Sequence, residues 1–179
     1  MPRRFPPGPR ALQIHPKYLA AVLAGLKRME LSKRPQLRDL RDVYLMAIGT
    51  RTVYAVADLA PSYPMPLEEL LLPSYYLAHQ VPPADLRHYA GERAVLHCSA
   101  LSRVRPFAVP VPLSVKHGPV RWRRLDSSEL PSLDAACRQA TLHTAVVAPA
   151  VLEALMQAPG GVGHRPTQVV RKRGRPRHH

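Results

Sequence analysis

Two apolar runs separated by three residues constrain this chain more than any other feature. Val43-Tyr44-Leu45-Met46-Ala47-Ile48 and Thr52-Val53-Tyr54-Ala55-Val56-Ala57-Asp58 are rich in β-branched and aromatic side chains, and Gly49-Thr50-Arg51 makes a turn between them. Together they read as a β-hairpin. Around it lie two more strand candidates. Ala11-Leu12-Gln13-Ile14 is short. The longest, residues 93–104, follows Gly91, and Val109 and Val111 continue it past Pro106 and Pro110, which predicts an edge or a bend.

Helical spacing appears first after Pro16, whose missing N–H suits the first turn of a helix. Tyr18, Leu19, Val22, Leu23 and Leu26 recur on one face, and Gly25 supplies a stop signal. Residues 61–66, PSYPMP, break the pattern. Short helical stretches follow at 67–72 and 84–89. After Asp126 the character changes: Ser132 is placed to cap a helix over about 133–143. Pro149 opens another through Met156, with Val151, Leu152, Leu155 and Met156 on its apolar face, and Pro159-Gly160-Gly161 ends it. This order predicts an α+β fold: a small mixed β-barrel with flanking helices. Aromatic residues are only 6% of the chain, so aliphatic side chains must build its core.

The charge is unevenly spread. The formal net charge is +14, from 26 basic and 12 acidic residues. Residues 1–10 hold three arginines and no acid, and residues 165–179 hold six basic residues and no acid, so nine of the fourteen excess charges sit in two Pro- and Gly-rich tails. The tails are expected to be disordered when free. The 179 residues then divide into a basic N-terminal tail (1–10), a barrel domain (11–126), a helical extension (127–158) and a basic tail (159–179). Such a balance makes a polyanion the expected partner, nucleic acid first. No apolar run approaches the ~18 residues of a membrane span, so no membrane partner is expected. MPRRFPPGPR has no apolar core of a secretory signal, and Cys98 and Cys137 cannot form a disulfide framework. A reduced, cytoplasmic protein is the expectation.

Ile14-His15-Pro16-Lys17-Tyr18, followed by Gly25-Leu26-Lys27-Arg28-Met29-Glu30-Leu31, resembles the opening of ASCH domains. Tyr89-Ala90-Gly91-Glu92 resembles the entry to their late strands, and residues 118–125, from Gly118 to Leu125, resemble their closing segment. The resemblance covers roughly residues 11–126. It implies a PUA-like barrel and RNA as the ligand. Some relatives are implied to be amidohydrolases acting on acylated cytidine nucleosides through a Lys, a Thr three residues later and a distant Glu. Lys27 matches the Lys, Glu30 stands at the Thr position, and Asp58, Glu68 and Glu69 are all conceivable for the distant acid. Where many relatives have an arginine two residues after the Glu, this chain has Ser32, followed by Lys33 and Arg34.

Candidate site residues follow. Lys27 and Glu30 can face the barrel mouth, as a phosphate-binding lysine with its partner, as a base and its orienter in an enzyme, or as an ion pair that holds a loop. Lys17 belongs to the same resemblance. Lys33 and Arg34, with Arg38 and Arg41, are a phosphate-binding lip or a solvated mixed-charge loop. Arg121, Trp122, Arg123 and Arg124 combine the single tryptophan with three arginines, suited to stacking a base and holding phosphate, or to plugging the barrel end. In the tail, Arg173-Gly174-Arg175-Pro176 looks like an AT-hook, an extended segment for the minor groove of A·T-rich DNA. With up to ~6 phosphate contacts its log–log salt slope on duplex DNA would be about −5. Neither the histidines nor the cysteines have metal-ligand spacing, so no metal is expected, and no cofactor fingerprint is present. His178 and His179 fit a tag remnant as well as a native end.

The leading expectation is a nucleic-acid-binding protein, RNA through the barrel and DNA through the tail, and a regulator of transcription or translation is consistent with both. The alternative is an amidohydrolase or ribonuclease acting on modified nucleosides or RNA at the barrel mouth. A third reading makes residues 132–157 a surface for a protein partner. The oligomeric state is left open.

Overall fold

The two central apolar runs pair as the hairpin β3 (Leu40–Ala47) and β4 (Thr52–Leu59), with Tyr44 opposite Val56 and Leu45 opposite Ala55. Their lack of polar alternation has a direct cause: Val43 to Ala47 and Val53 to Leu59 are buried throughout because both faces of the sheet are covered. Val43, Leu45, Ala57 and Leu59 feed one core, and Tyr44, Met46, Val53 and Val56 feed the other. Each fully buried Leu or Val there contributes about 1.5–3 kcal/mol.

The computed structural model describes residues 9–114, 121–140 and 149–157. The other strands are β1 (Arg10–Ile14), β2 (Met29–Ser32), β5 (Tyr63–Pro66), β6 (Val95–Pro112) and β7 (Trp122–Arg124). The helices are α1 (Pro16–Leu23), α2 (Leu67–Leu70), α3 (Pro73–His79), α4 (Pro83–Ala90), α5 (Leu130–Gln139) and α6 (Pro149–Gln157). The sheet order is β2-β6-β4-β3-β1-β7, with β5 also on β6, and β1 running parallel to β3. The mixed sheet curls into a half-barrel, an α+β architecture with helices packed on its flanks. Helices α1 and α6 close the first core through Leu19, Val22 and Leu155, and Leu133 of α5 closes the second. A third core lies under α2 and α4, where Leu70 and Leu86 meet Leu31, Leu96 and Cys98. No helix among the described residues is long and apolar enough to cross a membrane.

Strand β6 bends as its prolines predict. Its first half pairs with β2 and β5, and from Leu101 onward it pairs with β4. The prolines of that second half are tolerated because its other side has no strand partner among the described residues. Three expectations need correcting. PSYPMP does not simply break the pattern: Tyr63–Pro66 is β5, an edge strand that can accept Pro64 and Pro66. The helix over Pro73–His79 was not expected at all. The penultimate helix starts at Leu130, after Glu129 rather than Ser132. Its expected last residues, 141–143, lie outside the described residues. In α6, Leu155 is fully buried and Leu152 packs against the core, so that face is covered by this chain itself, and only Met156 is exposed.

Two bulges shape the sheet on either side of Asp58. Asp42 (φ 50°) and Arg103 (φ 49°) adopt left-handed backbone, a conformation costly for residues other than glycine. The buried Asp58 carboxylate holds both. It accepts from the Asp42 N–H (3.2 Å) and from Arg41 (2.8 Å), and it pairs with Arg103 at 3.4 Å. Arg105 pairs with Asp42. Burial opposes ionisation of Asp58, but the Arg41 hydrogen bond, the Asp42 N–H and the two arginine charges outweigh it and hold the carboxyl below its usual range. Asp58 therefore stabilises the fold above its ordinary titration range, and that contribution is lost as pH falls through its lowered value. Asp58→Asn is expected to cost about 2 kcal/mol at neutral pH. Urea unfolding should show the gap to the parent closing on acidification.

Candidate nucleic-acid interface

The half-barrel has two terminal strands, β2 and β7, and the gap between them is a seam. Gly25 (φ 73°) ends α1 and turns the chain toward β2. The Leu26 and Lys27 N–H groups both donate to Ala21 C=O, which delivers the Lys27 side chain into the interior. There Lys27 is only 2% exposed. Its ammonium donates to Met29 C=O (2.5 Å) and His79 C=O (3.0 Å) and meets Glu30 Oε2 at 3.3 Å. Three donors thus have three protein acceptors. The Tyr18 ring lies beside it, 5.8 Å from ammonium to ring centroid. Burial pushes the Lys27 amine below the ordinary lysine value, opposed by the charge and hydrogen bond of Glu30 and assisted by the charge of Arg121.

The far side of the seam supplies that arginine. The Arg121 C=O accepts from Gln13 N–H on β1, which anchors its backbone beside β7. Its guanidinium crosses to β2, donating to Leu31 C=O (2.8 Å) and approaching Glu30 Oε1 at 3.4 Å. Arg121 therefore joins the two terminal strands through a side chain where no backbone ladder does so among the described residues. Glu30 lies between two cations, one buried and one about a third exposed. The carboxylate orders both, and the exposed part of Arg121 is the group a ligand phosphate can meet.

The half-barrel is similar to solved structures. It superposes on the crystal structure of ASCH from Zymomonas mobilis with a TM-score of 0.58 and 17% identity, covering 74% of this chain and 96% of that one. A Tyr-to-Phe variant of the same protein gives 0.58 at 16% identity, covering 75% of this chain and all of that one. The fold is that of an ASCH domain. No protein-family model matches the sequence, and no curated protein matches it.

Within this ASCH fold the expected site residues separate. Lys27, Glu30 and Arg121 come together at the seam. Lys33 and Arg34 are exposed just past β2, and the Lys33 ammonium lies 5.0 Å from the Tyr89 ring centroid. Lys17 is half-exposed and bonds Asp85 at 2.7 Å, tying α1 to α4; that hydrogen bond raises its pKa. Arg124 is exposed on β7. Trp122 is half-buried and packs against the core that holds Leu12 and Leu19. Arg123 departs from the expected basic surface: strand alternation turns it inward, where it is 2% exposed and paired with Glu129. Arg173, Gly174, Arg175 and Pro176 lie outside the described residues.

Sequence reasoning missed His79. It is fully buried at the end of α3. Its Nδ1 accepts from Val81 N–H (3.0 Å), so Nε2 carries the proton and donates to Leu70 C=O (2.8 Å). Burial lowers its pKa, against that Leu70 bond and with the Lys27 charge. The ring thus fixes the carbonyl on which Lys27 rests. A lone histidine without ligand spacing carries no signal of this in sequence.

The Glu30 carboxylate is the hinge of the arrangement. Glu30→Gln is expected to destabilise the protein by on the order of 3 kcal/mol, because it leaves Lys27 buried without its counter-charge. It should also lower the Lys27 pKa further, read by NMR titration of the lysine ε-methylene; an unchanged value would show that the pair is not coupled.

Proposed function

We propose that this chain is a nucleic-acid-binding protein whose ASCH-type half-barrel takes single-stranded RNA at the seam, with the basic tail adding sequence-independent affinity. The observation that carries the reading is Arg121. Its guanidinium is held in place by Leu31 C=O and Glu30, partly exposed between two strand ends, with Lys33 and Arg34 exposed past β2. A pre-oriented guanidinium among exposed cations suits phosphate, and the overall charge of +14 favours polyanions. Lys27 acts through Glu30, since its own donors already have acceptors. The tail, with its AT-hook-like Arg173-Gly174-Arg175-Pro176, reaches DNA or RNA phosphates independently of the barrel.

A salt-series anisotropy titration tests this. Arg121→Gln should weaken binding of single-stranded RNA about tenfold and reduce the salt slope by about 1. Removal of residues 165–179 should flatten the slope on duplex DNA by up to about 5 while leaving RNA binding measurable. Unchanged binding by Arg121→Gln, together with no binding by the tail-less chain, would contradict the reading.

One observation favours a second reading, hydrolysis of acylated nucleosides or RNA at the same seam with Lys27 as base and Glu30 as its orienter. The burial that lowers the Lys27 pKa enlarges the neutral amine fraction a base requires. Such an activity should survive removal of residues 165–179, disappear in Lys27→Met, and rise with pH through the lysine's titration.

A further inference from the structure

Tyr89 sits at the end of α4, beside Arg121 and Lys33 of the seam. Three observations meet there. Tyr89 is 37% exposed, on a helix whose Leu86 and Ala90 are fully buried, so its position is fixed by the core beneath. Its hydroxyl lies close to the Arg121 side chain and the Lys33 backbone. The Lys33 ammonium lies 5.0 Å from the ring centroid, and Arg34 is exposed next to it. A phenol ring mounted on a packed helix, partly open to solvent and close to two cations combines a π-face with phosphate-binding groups. A structural tyrosine needs only its buried part; the cations gathered at its open part are the additional feature.

We propose that Tyr89, with Lys33 and Arg121, forms a stacking subsite for an unpaired base of single-stranded nucleic acid. It rests on the reading of the seam as a nucleic-acid interface. The base displaces the Lys33 ammonium from over the Tyr89 ring, and the flanking phosphates meet Lys33 and Arg121. A paired base cannot reach the ring, so the subsite selects single strands over duplexes of the same sequence. The hydroxyl serves to orient the ring, and the ring itself carries the stacking.

The test uses the full chain and compares short single-stranded RNA with a duplex of the same sequence by anisotropy. Variants are Tyr89→Ala, Tyr89→Phe and Arg121→Gln, each with its melting temperature measured. Tyr89→Ala should lose about tenfold on the single strand and be unchanged on the duplex. Tyr89→Phe, which keeps the π-face, should stay within about threefold of the parent, set by the lost hydroxyl contacts. If Tyr89→Ala binds the single strand normally while Arg121→Gln is weakened, the stacking subsite is wrong and the seam reading survives. If neither variant affects binding, both are wrong. Equal losses on single strand and duplex, or a Tyr89→Phe loss as large as that of Tyr89→Ala, would assign Tyr89 a purely structural role and overturn the proposal.

Discussion

The structure depends on how an incomplete barrel closes. Among the described residues, six strands pair in sequence from β2 to β7, and the ladder stops there. The Arg121 guanidinium crosses the gap to Leu31 C=O and Glu30, and Glu30 in turn holds the buried Lys27. A backbone ladder would have sealed the seam with groups that have no further use. A side-chain bridge leaves a partly exposed cation between two strand ends, already ordered and therefore able to bind an anion without first losing rotamer freedom. The cost is a lysine and a glutamate taken from water. The Met29 and His79 carbonyls offset it, and the buried His79 ring fixes the second of them.

The rest of the fold holds this bridge in position. The β3–β4 hairpin is buried on both faces and forms the middle of the sheet. Asp58 pins the bulges at Asp42 and Arg103 that bend β3 and β6. That bend lets one strand, β6, serve β2 with its first half and β4 with its second. Helices α1 and α4, linked by Lys17, Tyr18 and Asp85, flank the route that delivers Lys27 and Tyr89 to the seam.

What was legible in the sequence follows from which signals are local. The hairpin was readable because burial on two faces leaves an unbroken apolar run. The first helix was readable because Pro16, the Tyr18–Leu23 spacing and Gly25 all lie within one short window, although Leu26, expected on the same face, falls past the end of α1 and is exposed. Strand β5 was hidden, since Pro64 and Pro66 contradict a strand unless it lies at an edge, and edge position is a property of the whole sheet. The same applies to the site. Lys27 and Glu30 are three residues apart and were named together. Arg121 was named only within a patch of four residues. Alternation separates that patch, sending Arg123 inward to Glu129 and leaving Arg121 to reach Leu31, ninety residues away in the chain. Tyr89 was noted only for its place in a motif, because its cations come from the residue just past β2 and from the segment before β7.

Hydrogen exchange of the full chain, with and without single-stranded RNA, tests the central claim most directly. If the seam is the interface, added RNA should slow exchange in peptides covering Met29–Arg34 and Arg121–Arg124, the two sides that Arg121 bridges. Protection confined to residues 165–179, with the two terminal strands unchanged, would contradict the account and leave nucleic-acid binding to the basic tail alone.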